Sequence, residues 1–202
     1  MTEPQPKGSP TVGRRERKKA RTRAAIQHEA LRLFGEKGYD RTTMEEIAEA
    51  ADVSASTLFR HFSSKEALVL TDEYDPLIIG ACRSQPAELG AVEAIRRGIL
   101  GVFEHMSEEA LADIRVRAEL AVSVPSLRAA MLDQLAQAIR DVTTIVAERA
   151  GRTSDDFAVA TLAGAIMGVM LAAELYWVEH PESELFALVD DALAHLERGL
   201  TL

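Results

Sequence analysis

Residues 42–62 read TTMEEIAEAADVSASTLFRHF, from Thr42 to Phe62, and this stretch decides what kind of domain the chain begins with. Thr43 suits a helix N-cap, because its hydroxyl can accept a hydrogen bond from an orphan backbone N–H, and Glu46, three residues on, can return it. Thr42 and Glu45 repeat that spacing one residue earlier, so the register stays open by one. Met44, Ile47, Ala48 and Ala51 mark one apolar face at helical spacing. A turn follows at Ala51-Asp52-Val53, and its tightest position needs a left-handed backbone, which Gly, Asn or Asp tolerates best. Ser54 caps a second helix that turns Leu58 and Phe62 inward with Val53. Ala55, Ser56, Thr57, Phe59, Arg60 and His61 are left to face out or flank.

Two capped helices and a sharp turn also describe a hairpin that only packs. The outward face of the second helix favours a groove-reading element instead. Small residues at its start let the backbone approach base edges, Thr and Phe can touch a thymine methyl, and Arg can reach a guanine or a phosphate. Charge points the same way. Residues 1–23 carry Lys7, Arg14, Arg15, Arg17, Lys18, Lys19, Arg21 and Arg23 against Glu3 and Glu16, a net of +6. Residues 1–62 hold 12 Lys and Arg against 9 Asp and Glu, net +3, whereas residues 63–202 hold 11 against 23, net −12. A locally basic end attracts DNA, and the acidic remainder turns from it. SSKEAL (Ser63 to Leu68) opens a further capped helix and places Lys65 at its start.

With these residues in view, residues 14–68 resemble the DNA-binding domain of the TetR family of bacterial transcriptional regulators. The matching stretch is AIQHEALRLFGEKGYDRTTMEEIAEAADVSASTLFRHFSSKEAL, with Phe34, Gly38, Tyr39, Thr42, Thr43, Ile47, Ala48, Val53, Ser54, Thr57, Leu58, Phe59, His61, Phe62 and Lys65 in register. The resemblance implies a phosphate contact for Thr42 and Thr43. It implies base or phosphate contacts for Ala55, Ser56, Thr57 and Arg60, and backbone-holding roles for Phe59, His61 and Lys65. Two positions depart from the family pattern: Phe59 stands where Tyr is usual and Asp52 where the turn usually has Gly. The first loses a hydroxyl-to-phosphate bond; the second places a charge that phosphate would repel.

The 202 residues allow one or two domains, and a hydrophobic content of 47% suffices for a core. Apolar positions recur at three and four residues, which predicts an all-α chain of about nine helices, near 14–37, 43–50, 54–61, 64–80, 89–106, 107–121, 126–150, 154–179 and 183–199. Residues 1–13 read as a disordered tail, 14–63 as a helix-turn-helix DNA-binding domain, and 64–202 as a helical ligand-binding and dimerisation domain. The apolar run Ala158 to Val178 is long enough to span a membrane. Glu174 interrupts it and no Lys or Arg flanks it, so a helix buried in a dimer is expected rather than a span. Ala160, Gly164, Gly168 and Ala172 form a row of small residues at spacing four, which permits close helix approach, either within one subunit or between two. The resemblance favours the second, a homodimer through the last two helices, as a palindromic operator requires.

A ligand cavity in the middle of the chain would need apolar walls and a few polar groups. Phe103, Met106, Arg117, Leu120, Met131, Met167, Met170, Leu171, Tyr176 and Trp177 are the candidates. TDEYDPLI (Thr71 to Ile78) is similar to the subgroup containing the mycofactocin-system regulator, which implies an acyl-coenzyme A-type effector. An enzyme lacks its parts here: the five histidines show no metal-ligand spacing, and neither a Gly-rich phosphate loop nor a GxSxG elbow occurs. No cofactor or metal is expected. The N-terminus is polar and basic without the apolar core of a signal peptide, and Cys82 is the single cysteine, so a cytoplasmic protein is expected. The function expected is a ligand-responsive regulator, a repressor released from a palindromic operator by a small apolar or acyl-type effector. The alternatives are an activator or a DNA-free helical adaptor.

Overall fold

The computed structural model describes residues 14–71 and 74–200. The expected disordered tail, residues 1–13, lies outside them. Among the described residues every regular element is a helix: α1 (Arg14–Lys37), α2 (Met44–Ala50), α3 (Ala55–His61), α4 (Lys65–Leu70), α5 (Asp75–Ser84), α6 (Ala91–Phe103), α7 (Glu108–Ser123), α8 (Pro125–Ala150), α9 (Phe157–Glu179) and α10 (Leu185–Glu197). The chain divides into two compact units between Ser63 and Ser64.

In the first unit, Ile26, Ala30, Leu33 and Phe34 recur at helical spacing on α1 and are buried with Ile47 of α2, Leu58 of α3 and Phe62, which follows α3. The open register of α2 resolves to Thr43. Its hydroxyl accepts from the Glu46 N–H at 3.2 Å, and the Thr43 N–H donates to the Glu46 carboxylate at 2.9 Å. Ser54 caps α3 by accepting from the Thr57 N–H at 3.2 Å. Between the helices Asp52 sits at φ 51°, the left-handed conformation the turn demands. That conformation costs a residue bearing a Cβ about 1–2 kcal/mol, less for Asp, whose short polar side chain can bond locally. Asp52→Ala should therefore lower the urea-unfolding free energy by about 1 kcal/mol, whereas Asp52→Gly should be close to neutral. An equal loss in both would assign the effect to the carboxylate instead of the backbone.

The second unit holds α4 to α10. Ile95 and Ile99 of α6, Ile145 and Val146 of α8, Val159 and Ile166 of α9, and Val189 and Leu193 of α10 build one core. The single helix expected over 64–80 is two. Thr71 leaves α4 with an extended backbone, and α5 restarts at Asp75 with Pro76 in its first turn. Proline is welcome at a helix start and disruptive inside one, because its ring replaces a backbone N–H and disfavours a helical residue before it. Side chains satisfy carbonyls at the end of α4: Gln134 of α8 donates to Leu70, and Arg117 of α7 donates to Thr71 at 3.3 Å. Arg149 of α8 does the same for α5, donating to the carbonyls of Cys82, Gln85 and Pro86 at 2.8–2.9 Å. The α5–α6 crossing is close: a Cβ built on Gly98 would lie 2.7 Å from the Cα, N and Sγ of Cys82. Burial there pushes the Cys82 thiol up to about 11, against the opposing charge of Arg149.

Candidate nucleic-acid interface and effector cavity

On α3, Ala55, Ser56, Phe59 and Arg60 are exposed and lie at i, i+1, i+4 and i+5, one face of the helix. Phe59 keeps 49% of its surface exposed, so an aromatic ring is presented to solvent on the same face as Arg60. The Thr57 hydroxyl is drawn toward the cap, 2.9 Å from the Ser54 hydroxyl, and Ser56 approaches the same oxygen at 3.0 Å. Thr43 is exposed, at the start of α2.

Two of the expected contact residues are held partly or wholly inside the unit. Thr42 is 1% exposed, and its hydroxyl lies 3.0 Å from the Gly38 carbonyl and 3.3 Å from that of Leu33, so it closes the end of α1 and turns away from solvent. His61 is half-buried and its Nδ1 is buried without a hydrogen-bond partner among the described residues. Burial, then the charges of Arg60, Arg23 and Lys19, hold its imidazole below the ordinary value, which keeps it neutral at neutral pH. Lys65 is the first residue of α4, after its Ser64 cap, and belongs to the second unit. Arg23, which the charge pattern groups with the basic arm, is half-buried against the end of α3.

In the second unit residues from all of α4 to α10 surround a cavity of about 300 Å³. Phe103, Met106, Arg117, Met131, Met167, Met170 and Leu171 line it as expected from the sequence. Leu120, Tyr176 and Trp177 do not. Ile114, Arg117, Ala118 and Ala121 form the lining stripe of α7, and Leu120 lies about 100° around the helix from it. Tyr176 is on the far side of α9, 48% exposed and stacked on His180 at 4.0 Å. Trp177 is buried beneath the Arg115 guanidinium, 4.3 Å from its ring centroid, and its carbonyl accepts from Arg115 at 3.0 Å. The polar lining includes Arg117, Gln134, Tyr74, Asp75 and Glu174. Gln134, Tyr74, Asp75 and Glu174 are not among the residues expected from apolar stripes, because a polar side chain in the lining leaves no apolar periodicity to detect. Among the described residues no cluster of His, Cys, Asp and Glu could hold a metal ion.

The opposite face of α9 is largely uncovered among the described residues. Phe157, Ala160, Gly168, Ala172, Leu175 and Tyr176 are exposed. A Cβ on Gly164 or Gly168 would find no atom within 4 Å. By length and composition α9 could cross a membrane, with a mean hydropathy of 1.9 over its 18-residue window, of which only 22% is buried. Packing within the subunit thus leaves the small-residue row unexplained.

These features agree with what the chain is similar to. The family model described as "Bacterial regulatory proteins, tetR family" matches residues 26–71, and that described as "MftR C-terminal domain" matches residues 89–201. The chain belongs to the TetR family. It is a DNA-binding transcriptional regulator, which sets aside the DNA-free adaptor. Among its relatives, the HTH-type transcriptional regulator TcmR of Streptomyces glaucescens is 30% identical over 184 residues, covering 87% of this chain and 81% of TcmR. A protein of Mycobacterium tuberculosis named for mycofactocin biosynthesis, MftR, is 27% identical over 191 residues, 94% of each chain. Two solved TetR-type structures share the fold. Thermus thermophilus FadR, a repressor crystallised with lauroyl-CoA, has a TM-score of 0.55 at 24% identity, covering 89% of this chain and 95% of its own. The SmeT–triclosan complex has a TM-score of 0.57 at 19% identity, covering 86% and 90%.

Proposed function

We propose that this TetR-family regulator is a homodimeric cytoplasmic repressor that occupies a palindromic operator and is released by a small apolar or acyl-type effector. Residues 14–63 read the DNA and residues 64–202 bind the effector and pair two subunits. The observation that carries the DNA half is the exposed α3 face of Ala55, Ser56, Phe59 and Arg60, set on a helix whose other side, Leu58, is fully buried. Thr43 and Lys65 add phosphate contacts, and Phe59 contributes apolar contact to a base or sugar. Phe59 supplies no hydroxyl.

The effector half rests on the methionine-rich cavity. Thioether side chains adapt to flexible apolar groups, and Arg117 offers one cation for a polar end. The lauroyl-CoA and triclosan found on FadR and SmeT are ligands of that kind. Pairing two subunits through the free face of α9, with α10 beside it, covers the apolar surface and gives the small-residue row its use. Occupancy of the cavity then needs to bias the spacing of the paired recognition helices by only about 1–3 kcal/mol to change operator affinity roughly 5- to 150-fold.

The test begins with gel shifts on DNA flanking the regulator's own gene. Arg60→Ala should weaken operator binding by about 1–3 kcal/mol and relax preference at one base position, while leaving random DNA nearly unaffected. Uniform weakening on all sequences would reduce Arg60 to a phosphate contact. Lauroyl-CoA, added at about a hundred times its Kd, should stabilise the protein by about 2.7 kcal/mol and release the operator. If neither lauroyl-CoA nor triclosan changes melting or DNA occupancy, the effector assignment fails while the DNA half stands.

A further inference from the structure

The basic run Arg14 to Arg23 invites a single role, neutralising phosphates, but its last member is engaged inside the first unit. The Arg23 side chain reaches from α1 to the end of α3, where Nη1 donates to the His61 carbonyl at 2.8 Å. Its guanidinium lies over the Phe62 ring, 4.2 Å from the centroid, and Phe62 is 1% exposed. We infer that Arg23 is a positioning residue of the recognition helix, holding α3 in register on α1, and that its charge does not serve as a phosphate contact. This deepens the role proposed for α3 and rests on it.

The physical case has three parts. A seven-residue helix, Ala55–His61, is too short to hold its own geometry, so its orientation comes from what it packs against. The last carbonyls of a helix lack intrahelical donors, and a cation there meets both that need and the negative end of the helix dipole. Only the planar guanidinium can lie flat on an aromatic face while an in-plane N–H reaches a carbonyl at its edge; an ammonium can do one or the other. Leu58 and Phe62 seat the helix axis through apolar contact, which tolerates sliding and rolling. The directional bond to His61 resists both, and a roll of α3 would carry Ser56, Phe59 and Arg60 away from the base edges together.

Arg23→Gln and Arg23→Lys separate the two roles. Glutamine keeps a donor without charge; lysine keeps the charge without the planar fork. Positioning predicts that both lose about tenfold in operator affinity, since a hydrogen bond from a charged group is broken or weakened. Random-sequence DNA should still be held to within about twofold, and the slope of log K against log salt should match wild type in Arg23→Gln. A phosphate contact predicts the reverse: Arg23→Lys behaves as wild type, and Arg23→Gln weakens both DNAs alike with the slope reduced by about 0.9. That pattern overturns the inference. Should Arg23→Gln melt below the assay temperature, Arg23→Lys decides alone, because full recovery of the operator-to-random ratio by lysine refutes the need for a planar group. Arg60→Ala in the same assay guards the premise. If it too leaves discrimination untouched, α3 is not the reader and the inference falls with it. If it destroys discrimination while the Arg23 variants do not, Arg23 alone is misassigned.

Discussion

Gly98→Ala should lower the unfolding free energy by about 3 kcal/mol, at the upper end of what overpacking costs. One methyl group is added, but it arrives 2.7 Å from the Cα, N and Sγ of Cys82. Two of those atoms are backbone, so no rotamer change relieves the clash, and α5 and α6 must move apart. Arg149 resists that movement, since it ties the end of α5 to α8 through three carbonyls. Gly101, one turn along α6, is the internal control. A Cβ there meets nothing within 4 Å, so Gly101→Ala should stabilise by about 0.5–1 kcal/mol through helix propensity alone. At about 2–4 °C per kcal/mol for a chain of this length, the two single-methyl variants should melt on opposite sides of the wild type. Melting in the same direction would show that the close α5–α6 crossing is not a fixed feature of the folded state.

Gly168→Arg is expected to abolish operator binding while leaving each subunit folded. Gly168 is exposed, and the space above it is empty in its own chain. The arginine therefore disturbs no intrachain packing and enters a helix interior with a better propensity than glycine. In a dimer paired through α9 the same side chain lands where two backbones approach, burying a long charged group without a partner. Loss of pairing separates two half-site contacts that otherwise act as one. Joining two such contacts raises affinity by about 10²–10⁴-fold, so a loss of that order is expected. Sedimentation should show a monomer, with helical content by circular dichroism retained. A variant that stays dimeric and binds the operator normally would move the pairing surface away from this face. Gly164→Arg should act alike, because it shares the row and the same empty space.

The helix-turn-helix and the lining of the cavity were legible to different degrees. The caps at Thr43 and Ser54, the capping box with Glu46 and the left-handed turn at Asp52 all follow from hydrogen bonds spanning two or three residues. Such bonds impose fixed offsets on the sequence. The lining stripes of α7 and α9 were half legible: periodicity places Met167, Met170 and Leu171 on one face, but it assigns no face to the cavity. Tyr176 and Trp177, expected among the apolar walls, do not line it. The first lies across the helix, and the second sits under Arg115. The family resemblance implies a phosphate contact for Thr42, yet its hydroxyl is bound by carbonyls at the end of α1.

By itself, the sequence determined the helical class, the helix-turn-helix with its register narrowed to one of two, the segregation of charge, and the row of small residues on α9. These rest on interactions between near neighbours or on composition, and both are written along the chain. The tertiary structure alone decided that Arg23 of the basic run is held in the fold, which side chains cap α4, and which face of α9 is left uncovered among the described residues. Arg23 meets His61 across 38 residues and Arg117 meets Thr71 across 46. At those separations a contact leaves no spacing to detect, because the intervening chain, not the offset, brings the partners together.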